Sequence, residues 1–378
     1  MSANDVQVQA REARRWLFDG AFPLWSTAGF DAPSGQFVEQ LAQSGQPVVD
    51  LPRRTLVQAR QIYVFSRAGL MGWNGPWRAV VTAAAGVLMA RGRTRAGDWI
   101  FSFDASGRQL DRRRDLYTQA FVIFGLAHAA MALNRPDLLA AASETRERLD
   151  HHWRAPAGGF AEGELFPGFR RQNPHMHLFE AAMALRAAGG ADGGLADELA
   201  GLFKARFLTE DGLVEYYDDH LVPLMDERGR ITEPGHMFEW AWLIGRWAAI
   251  NGSGETALID QLLDSARRGV TAEGFAQDEI WSDGSVRVAS ARLWPQCERL
   301  KAVLARLERT GAAVEALEVL AAWSVLKSYL AAAPTGSWRD RREADGRQTP
   351  GPAPASSGYH LVGALEELIR IAAPGDRS

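Results

Sequence analysis

The sequence predicts an all-α protein, an (α/α)6 barrel of twelve helices with short β-hairpins in the long loops at its mouth. Three observations carry this. Helical periodicity dominates the 378 residues, with no βαβ alternation. The connections alternate, long before every second helix and short after it. Every second helix also opens on cap or proline chemistry, with polar residues just inside its first turns.

The helices are placed in order. The first lies near 6–18. The second, near 54–70, carries Arg60. The third, near 76–91, holds AVVTAAAGVLMA (79–90), the longest nearly apolar run, too short to cross a bilayer. WIFSFDASG (99–107) reads as a hairpin or an ordered loop. Asp115 caps the fourth, 115–133, with Tyr117 in its first turn. His128, in FGLAHAAMAL, reads as a hydrogen-bonded core histidine. The tripeptide NRP turns into the fifth, 136–154, whose charged end leaves His151 and His152 on the surface. Asn173 and Pro174 open the sixth, 174–187, and the seventh spans 195–207. LVEYYDD (213–219) is again extended, and His220 follows in a loop. Pro234 and Gly235 open the eighth, 234–250, followed by the ninth, 256–270. LWPQCERL begins the tenth, 294–310, and TG leads to the eleventh, 312–331. GSWRDRREADGRQTPGPAPAS (336–356) is expected to be a mobile loop. Ser357 and Gly358 then open the twelfth, near 359–372. Asn, Asp and Ser favour N-caps and Pro the first turn.

Long–short alternation is the signature of helical hairpins, each inner helix turning tightly into an outer one. A stacked solenoid would fit the helices too, but no repeated sequence period is found. Parallel inner helices would bring their N-terminal ends to one mouth. One domain, 1–378, is expected to gather its polar outliers there in a pocket floored by aromatics.

Composition excludes several function classes. The net charge is −4 with a pI near 6.1, which argues against nucleic acid or an acidic membrane as partner. The single cysteine, Cys297, forbids an internal disulfide and suits a reducing compartment. The polar start is no secretory signal. A soluble cytoplasmic monomer or homodimer is expected. Thirteen tryptophans point first to a large aromatic core, and second to platforms for sugar rings.

The chemistry is sought in the histidines. HMH at 175–177 suggests a metal chelate, but on a helix the two rings point about 200° apart. Asn173 and His177, at i and i+4, share a face, so His177 is expected in the pocket and His175 elsewhere. With no HExxH and no cysteine cluster, no metal is expected. No nucleotide or flavin fingerprint is present, so no cofactor is expected either. His236 and Glu239 stand three apart, where a carboxylate holds an imidazole in one tautomer. Its bland alternative is a histidine that merely caps. His360 occupies the same context, and Arg60, Tyr117 and Glu298 accompany the pair. Two bases tuned near neutrality suggest proton abstraction beside a carbonyl, with Arg60 steadying a developing enediolate.

QNPHMHLFEA, EPGHMFEWAWL, DLYTQAFVIFGLA, LWPQCERLKA and GYHLVGAL, in this order, resemble the N-acylglucosamine 2-epimerase superfamily over roughly residues 50 to 370. That superfamily includes N-acylglucosamine epimerases, cellobiose 2-epimerases and mannose isomerases, and its fold is an (α/α)6 barrel. The resemblance implies a catalytic histidine pair at His236 and His360. It implies substrate contacts at Arg60, Tyr117, Asn173, His177, Glu239, Trp294 and Glu298. The chemistry it implies is metal-free: the ring opens, a proton leaves C2, and a cis-enediol forms. Return of the proton to C2 epimerises, and return to C1 isomerises. WPQCE and GYH depart from the usual residues beside the motifs, without removing a catalytic group. EPGHMFEWAWLI is most similar to the mannose isomerase branch, which favours a free aldose–ketose isomerase of mannose and fructose.

Other readings stay open. A 2-epimerase of N-acylglucosamine, cellobiose or glucose–mannose type uses the same histidines. The arginines of 336–356 keep a sugar phosphate in view. A glycoside hydrolase would need two carboxylates, for which Glu239 and Glu298 qualify, but it leaves the histidines idle. A non-catalytic sugar-binding barrel is the last alternative.

Overall fold

The computed structural model describes residues 3–209 and 212–373. Twelve long α-helices dominate the described residues: α1 (Ala3–Arg15), α2 (Thr55–Leu70), α3 (Trp77–Arg91), α4 (Leu116–Leu133), α5 (Pro136–His152), α6 (Gln172–Ala187), α7 (Leu195–Leu202), α8 (Pro234–Asn251), α9 (Thr256–Arg267), α10 (Leu293–Thr310), α11 (Ala313–Leu330) and α12 (Ser357–Ala372). Each falls on a segment expected from the sequence. Short π-helical stretches, Trp16–Ala21 and Phe203–Phe207, extend α1 and α7, and Phe22–Thr27 adds one short α-helix. The strands are two or three residues long, and WIFSFDASG and LVEYYDD contribute to antiparallel pairs as expected.

The chain forms two compact units. One contains residues 1–25, 42–46 and 232–378, the other 26–41 and 47–231. In the second unit α2 packs on α4 and α4 on α6, with α3, α5 and α7 as their hairpin partners. In the first, α8 packs on α10 and α10 on α12, backed by α9, α11 and α1. Each unit is therefore three inner helices with three outer ones.

Inner helix α4 is buried on nearly every face, which explains its almost continuous apolar sequence. Helix α4 has a mean hydropathy of 1.5 over 18 residues, enough by length and composition to cross a membrane. The 79–90 run was thus not the most membrane-like segment. Yet 72% of the α4 window is buried within the protein, as a core helix should be. His128 sits in this helix between Tyr63 and Phe124, its ring 4.7 and 4.5 Å from theirs. The expected hydrogen bond is not at Nδ1, which is buried without a partner, and burial lowers its pKa to about 3.

A repeat hidden in the sequence appears in the loops. Six of them close on a bridge between residues six apart: Leu41 to Pro47, Arg93 to Trp99, Arg154 to Phe160, Tyr217 to Pro223, Val270 to Ala276 and Arg342 to Gln348. The fourth residue after the first bridge partner is left-handed each time. It is Gly45, Gly97, Gly158, Gly274 or Gly346, and once Leu221 with φ 60°. Only glycine adopts this conformation without cost. The last of these loops belongs to 336–356, expected to be mobile. Instead Arg341–Arg342 pairs with Ala291–Arg292, Trp338 stacks on Trp25 at 4.6 Å, and Asp340 accepts from Ser357 Oγ at 2.8 Å.

The helix starts are built alike. Arg54, Arg171 and Arg292 precede α2, α6 and α10 in extended conformation. Each donates its backbone N–H and its Nε to one carboxylate, on Glu39, Glu162 and Asp278 respectively. Asp115 caps α4 as expected, accepting from the Thr118 N–H at 3.1 Å. Asn173 does not cap. Helix α6 begins at Gln172, which puts Asn173 inside its first turn.

Candidate active site

The fourth residue of four inner helices holds the adjacent loop. Gln58 accepts from the Phe37 N–H and donates to the Phe37 carbonyl. Gln119 does the same to Trp99 and Gln296 to Ala276. His175 is the fourth residue of α6. Its Nε2 accepts from the Phe160 N–H at 3.0 Å, and its Nδ1 lies 3.0 Å from the Arg171 carbonyl. Gln119 and Gln296 donate to that same carbonyl four residues back. His175 is a loop clamp, fully buried, with its pKa lowered by burial to about 3. It packs away from His177, as expected.

The sixth residue of each inner helix faces another way. In the second unit these are Arg60, Phe121 and His177. Arg60 Nη2 donates to the Tyr117 hydroxyl at 2.7 Å and its guanidinium lies 4.1 Å from the Phe121 ring. The His177 ring stands 5.1 Å from Tyr117 and 4.6 Å from Phe121. Its Nδ1 is 3.4 Å from Glu180 Oε2, one turn on. The Asn173 amide oxygen is buried without a hydrogen-bond partner. The starts of α2, α4 and α6 thus bring Arg60, Tyr117 and His177 together with Glu180, and Asn173 lies one turn before His177 on the same helix.

In the first unit the starts of α8, α10 and α12 converge likewise. The Trp294 ring lies 4.9 Å from His236 and 5.4 Å from His360, tilted 37° and 39° to them. Gly235 makes this possible: a Cβ there would come within 2.5 Å of the Trp294 ring. His360 Nδ1 is 2.7 Å from Glu298 Oε1. Burial pushes the Glu298 carboxyl up. The Lys301 ammonium, 2.7 Å away, and the His360 hydrogen bond pull it down further, so the group sits well below the usual carboxylate range. An ionised carboxylate accepts only, so Nδ1 carries a proton and the imidazole is held in one orientation. Glu239 is fully buried, and its Oε1 accepts from the Tyr359 hydroxyl at 3.4 Å.

The sequence assigned the carboxylate that orients a histidine to Glu239 beneath His236. A short histidine–carboxylate contact of this unit joins Glu298 to His360, from a different helix. Near the His236 ring nitrogens the carboxylate of Glu233 lies within 4.8 Å. Glu180, Lys301, Glu233 and Tyr359 were not singled out as site residues. Two of them had a signal: H-x-x-E at 177–180 and E-x-x-K at 298–301 both stack side chains on one helix face.

Glu239, Glu298 and His360 bring possible ligand atoms within 4.8 Å of one another. Glu298 already holds Lys301 and His360 on its two oxygens, so an ammonium supplies the positive charge that a metal ion would bring. Cys297 is no nucleophile, because burial raises its thiol well above the usual range.

The sequence-family model for N-acylglucosamine 2-epimerase matches residues 35–364. The chain belongs to this family. A mannose-6-phosphate isomerase of Rhizobium meliloti (strain 1021) is 38% identical, covering 96% of this chain and 97% of its own length. A D-mannose isomerase of Thermobifida fusca is 27% identical, covering 97% of this chain and 96% of its own length. Among solved structures, the cellobiose 2-epimerase of Spirochaeta thermophila DSM 6192 superposes with a TM-score of 0.88 at 21% identity, over 98% of both chains. The fold is therefore the (α/α)6 barrel that the helix spacing predicts, and the family member is an enzyme, an isomerase or epimerase acting on sugars. Membership also disposes of the non-catalytic and hydrolytic alternatives at the level of reaction class.

Proposed function

We propose that this family member is an aldose–ketose isomerase interconverting D-mannose and D-fructose as free sugars, without metal or cofactor. The observation that carries the reading is the His236–Trp294–His360 arrangement, with Glu298 holding His360 so that Nε2 is basic. Two imidazoles beside one aromatic platform suit a substrate whose apolar face rests on the ring while a C2 proton is removed. His236 and His360 exchange that proton with C2 and C1 of the opened sugar through a cis-enediol. The resemblance that assigns substrate contacts to Arg60, Tyr117, Asn173 and His177 supports them as hydrogen-bonding and charge-steadying groups. The unpartnered Asn173 oxygen and the Arg60–Tyr117 pair favour that role.

A second reading has its own support, the mannose-6-phosphate isomerase name of the 38% identical relative. The arginines of 336–356 were the sequence's reason to consider a phosphate. Arg341 donates to Ser290, Arg342 lies over Phe275, and Arg347 pairs with Asp345. Those contacts favour the free sugar.

Incubation in heavy water with mannose, mannose 6-phosphate, glucose, cellobiose and N-acetylmannosamine, read by NMR, tests both. Fructose from mannose, labelled at C1, is expected, with label at C2 of recovered mannose. Turnover of the phosphate alone moves the assignment to the second reading. Products that are only 2-epimers overturn the reaction type. Turnover should also survive exhaustive chelation; loss restored by one metal overturns the metal-free part.

A further inference from the structure

Lys301 is the ninth residue of α10, one turn beyond Glu298, and it is buried. A buried lysine is uncommon and costly unless its charge is met. Its Nζ lies 2.7 Å from Glu298 Oε2 and 3.8 Å from the centre of the Trp242 ring. The opposite Glu298 oxygen takes His360 Nδ1 at 2.7 Å. Ammonium, carboxylate and imidazole therefore form one line across α10 and α12, each 0–6% exposed.

The charges of this line decide its protonation. With Lys301 cationic, Glu298 anionic and His360 neutral, the line sums to zero. Without the lysine, the same pair would carry an uncompensated negative charge away from water. A buried pair in that state takes up one proton, held by either partner. Its imidazole then ceases to be a base.

Other groups face the line. Glu239 on α8 has a carboxylate oxygen within 4.8 Å of ligand atoms of Glu298 and His360. His236 on α8 lies across the Trp294 ring, Tyr359 precedes His360 on α12, Cys297 precedes Glu298 on α10, and Asp340 approaches from the loop before α12. Arg292 lies 5.4 Å from the Trp294 ring but pairs with Asp278 and Glu233 and also faces Asp340, so of these groups Glu239 is the acid that adds to the need for a cation.

We propose that Lys301 is a positioning residue that keeps His360 a neutral base, by balancing the Glu298 carboxylate from the side opposite the imidazole. The proposal rests on the assignment of His360 as a proton-transfer group.

The test compares Lys301→Met, Glu298→Gln and the double variant in the full-length protein. In Lys301→Met the acidic limb of kcat/KM for mannose should move up by at least about one pH unit, because one unit is a modest charge effect at a buried site. Glu298→Gln removes the charge that Lys301 balances. In that background the Lys301→Met change should leave the limb in place. Histidine-selective 15N NMR supplies a readout independent of turnover, with the His360 signal assigned by its loss in His360→Gln. In the parent protein that signal should report a neutral ring with Nδ1 protonated at pH 7, and in Lys301→Met an imidazolium or a shared proton. A neutral, unchanged His360 in Lys301→Met overturns the proposal even if the variant is slow. An equal limb shift with and without the Glu298 charge overturns it as well, since packing alone would then explain the loss. Failure of the sugar reaction in the parent protein leaves the NMR outcome decisive. Should Lys301→Met not fold, Lys301→Arg keeps the charge and should keep both the limb and the neutral ring; a shift there overturns the proposal.

Discussion

The two units build their polar clusters on the same frame and fill it with opposite chemistry. In each, three inner helices start together and the sixth residue of a helix reaches inward. In the first unit those positions are Glu239, Glu298 and the apolar Val362, and the two carboxylates are set beside His236, Trp294, His360 and Lys301. Acid, base and a balancing cation are all buried there. In the second they are Arg60, Phe121 and His177, and Arg60 is spent on a tyrosine hydroxyl and an aromatic face. On the proposed reading the first arrangement handles protons, and the second, with its own His177–Glu180 contact, presents donors and rings to the sugar. The lesson is that a repeated backbone fixes where a functional side chain sits, while the residue type at that position divides the work.

The sharpest way to break this contrast is to remove a base. His236→Ala and His360→Ala should each lower kcat at least about a hundredfold, since a positioned acid or base contributes roughly 10² to 10⁴. Circular dichroism should show both variants folded, with the melting temperature lowered most in His360→Ala, which leaves the buried Glu298 short of a partner. Near parental turnover in either variant would remove the proton-handling role from the first unit.

Next in size is Arg60→Ala. Hydrogen bonds to a charged group are worth roughly 1.5–3 kcal/mol, so kcat/KM should drop by about ten- to a hundredfold. The position of the pH limbs should stay fixed, because the second unit is argued to bind. A limb displaced as far as in a first-unit variant would erase the distinction between the clusters.

Much of this was legible in the sequence, and what was not has physical reasons. All twelve helices were placed, the most buried inner ones as apolar runs opened by cap or proline residues and the others by their periodicity and short linkers. The starts carrying Tyr117, His177, His236 and His360 were legible from proline and cap residues. The partners were not. Glu298 and His360 are 62 residues apart, and no spacing rule reaches across two helices. The loop repeat escaped because it consists of one left-handed position per loop, with Leu221 in place of the sixth glycine. The 336–356 segment was misread because Arg, Pro and Gly look alike in mobile loops and in tight ones. What pins it, the strand with Ala291–Arg292 and the Trp25–Trp338 stack, lies far away in sequence.

A smaller effect separates two neighbours within the second unit. Asn173→Ala and His177→Ala should each weaken kcat/KM by an amount worth roughly 0.5–1.5 kcal/mol, one hydrogen bond each. Sharing one ligand, they should be non-additive in the double variant. Strict additivity of the kinetic losses would place the two side chains on different steps.

The smallest effect on activity is expected at the other histidine of HMH. His175→Gln restores the residue that Gln58, Gln119 and Gln296 present at the same helical position. An amide can accept from the Phe160 N–H and donate to the Arg171 carbonyl, as the imidazole does. Turnover at pH 7 should stay within about twofold, far inside the 1.4 kcal/mol that a tenfold change represents. Acid stability should move instead. The folded-state pKa of His175 is depressed to about 3, against about 6.5 in the unfolded chain. Below pH 6.5 the unfolded chain binds a proton that the native state refuses. The stability is whole above pH 6.5 and is lost as pH falls towards 3, by about 1.4 kcal/mol per unit. Between pH 7 and pH 5 the parent protein should therefore lose about 2 kcal/mol more than His175→Gln does. His128, equally buried and also depressed to about 3, stays in both proteins and cancels. Urea unfolding at the two pH values measures the difference. Parallel losses would mean that His175 already accepts a proton in the native state, and that the clamp reading of the first histidine in HMH is wrong.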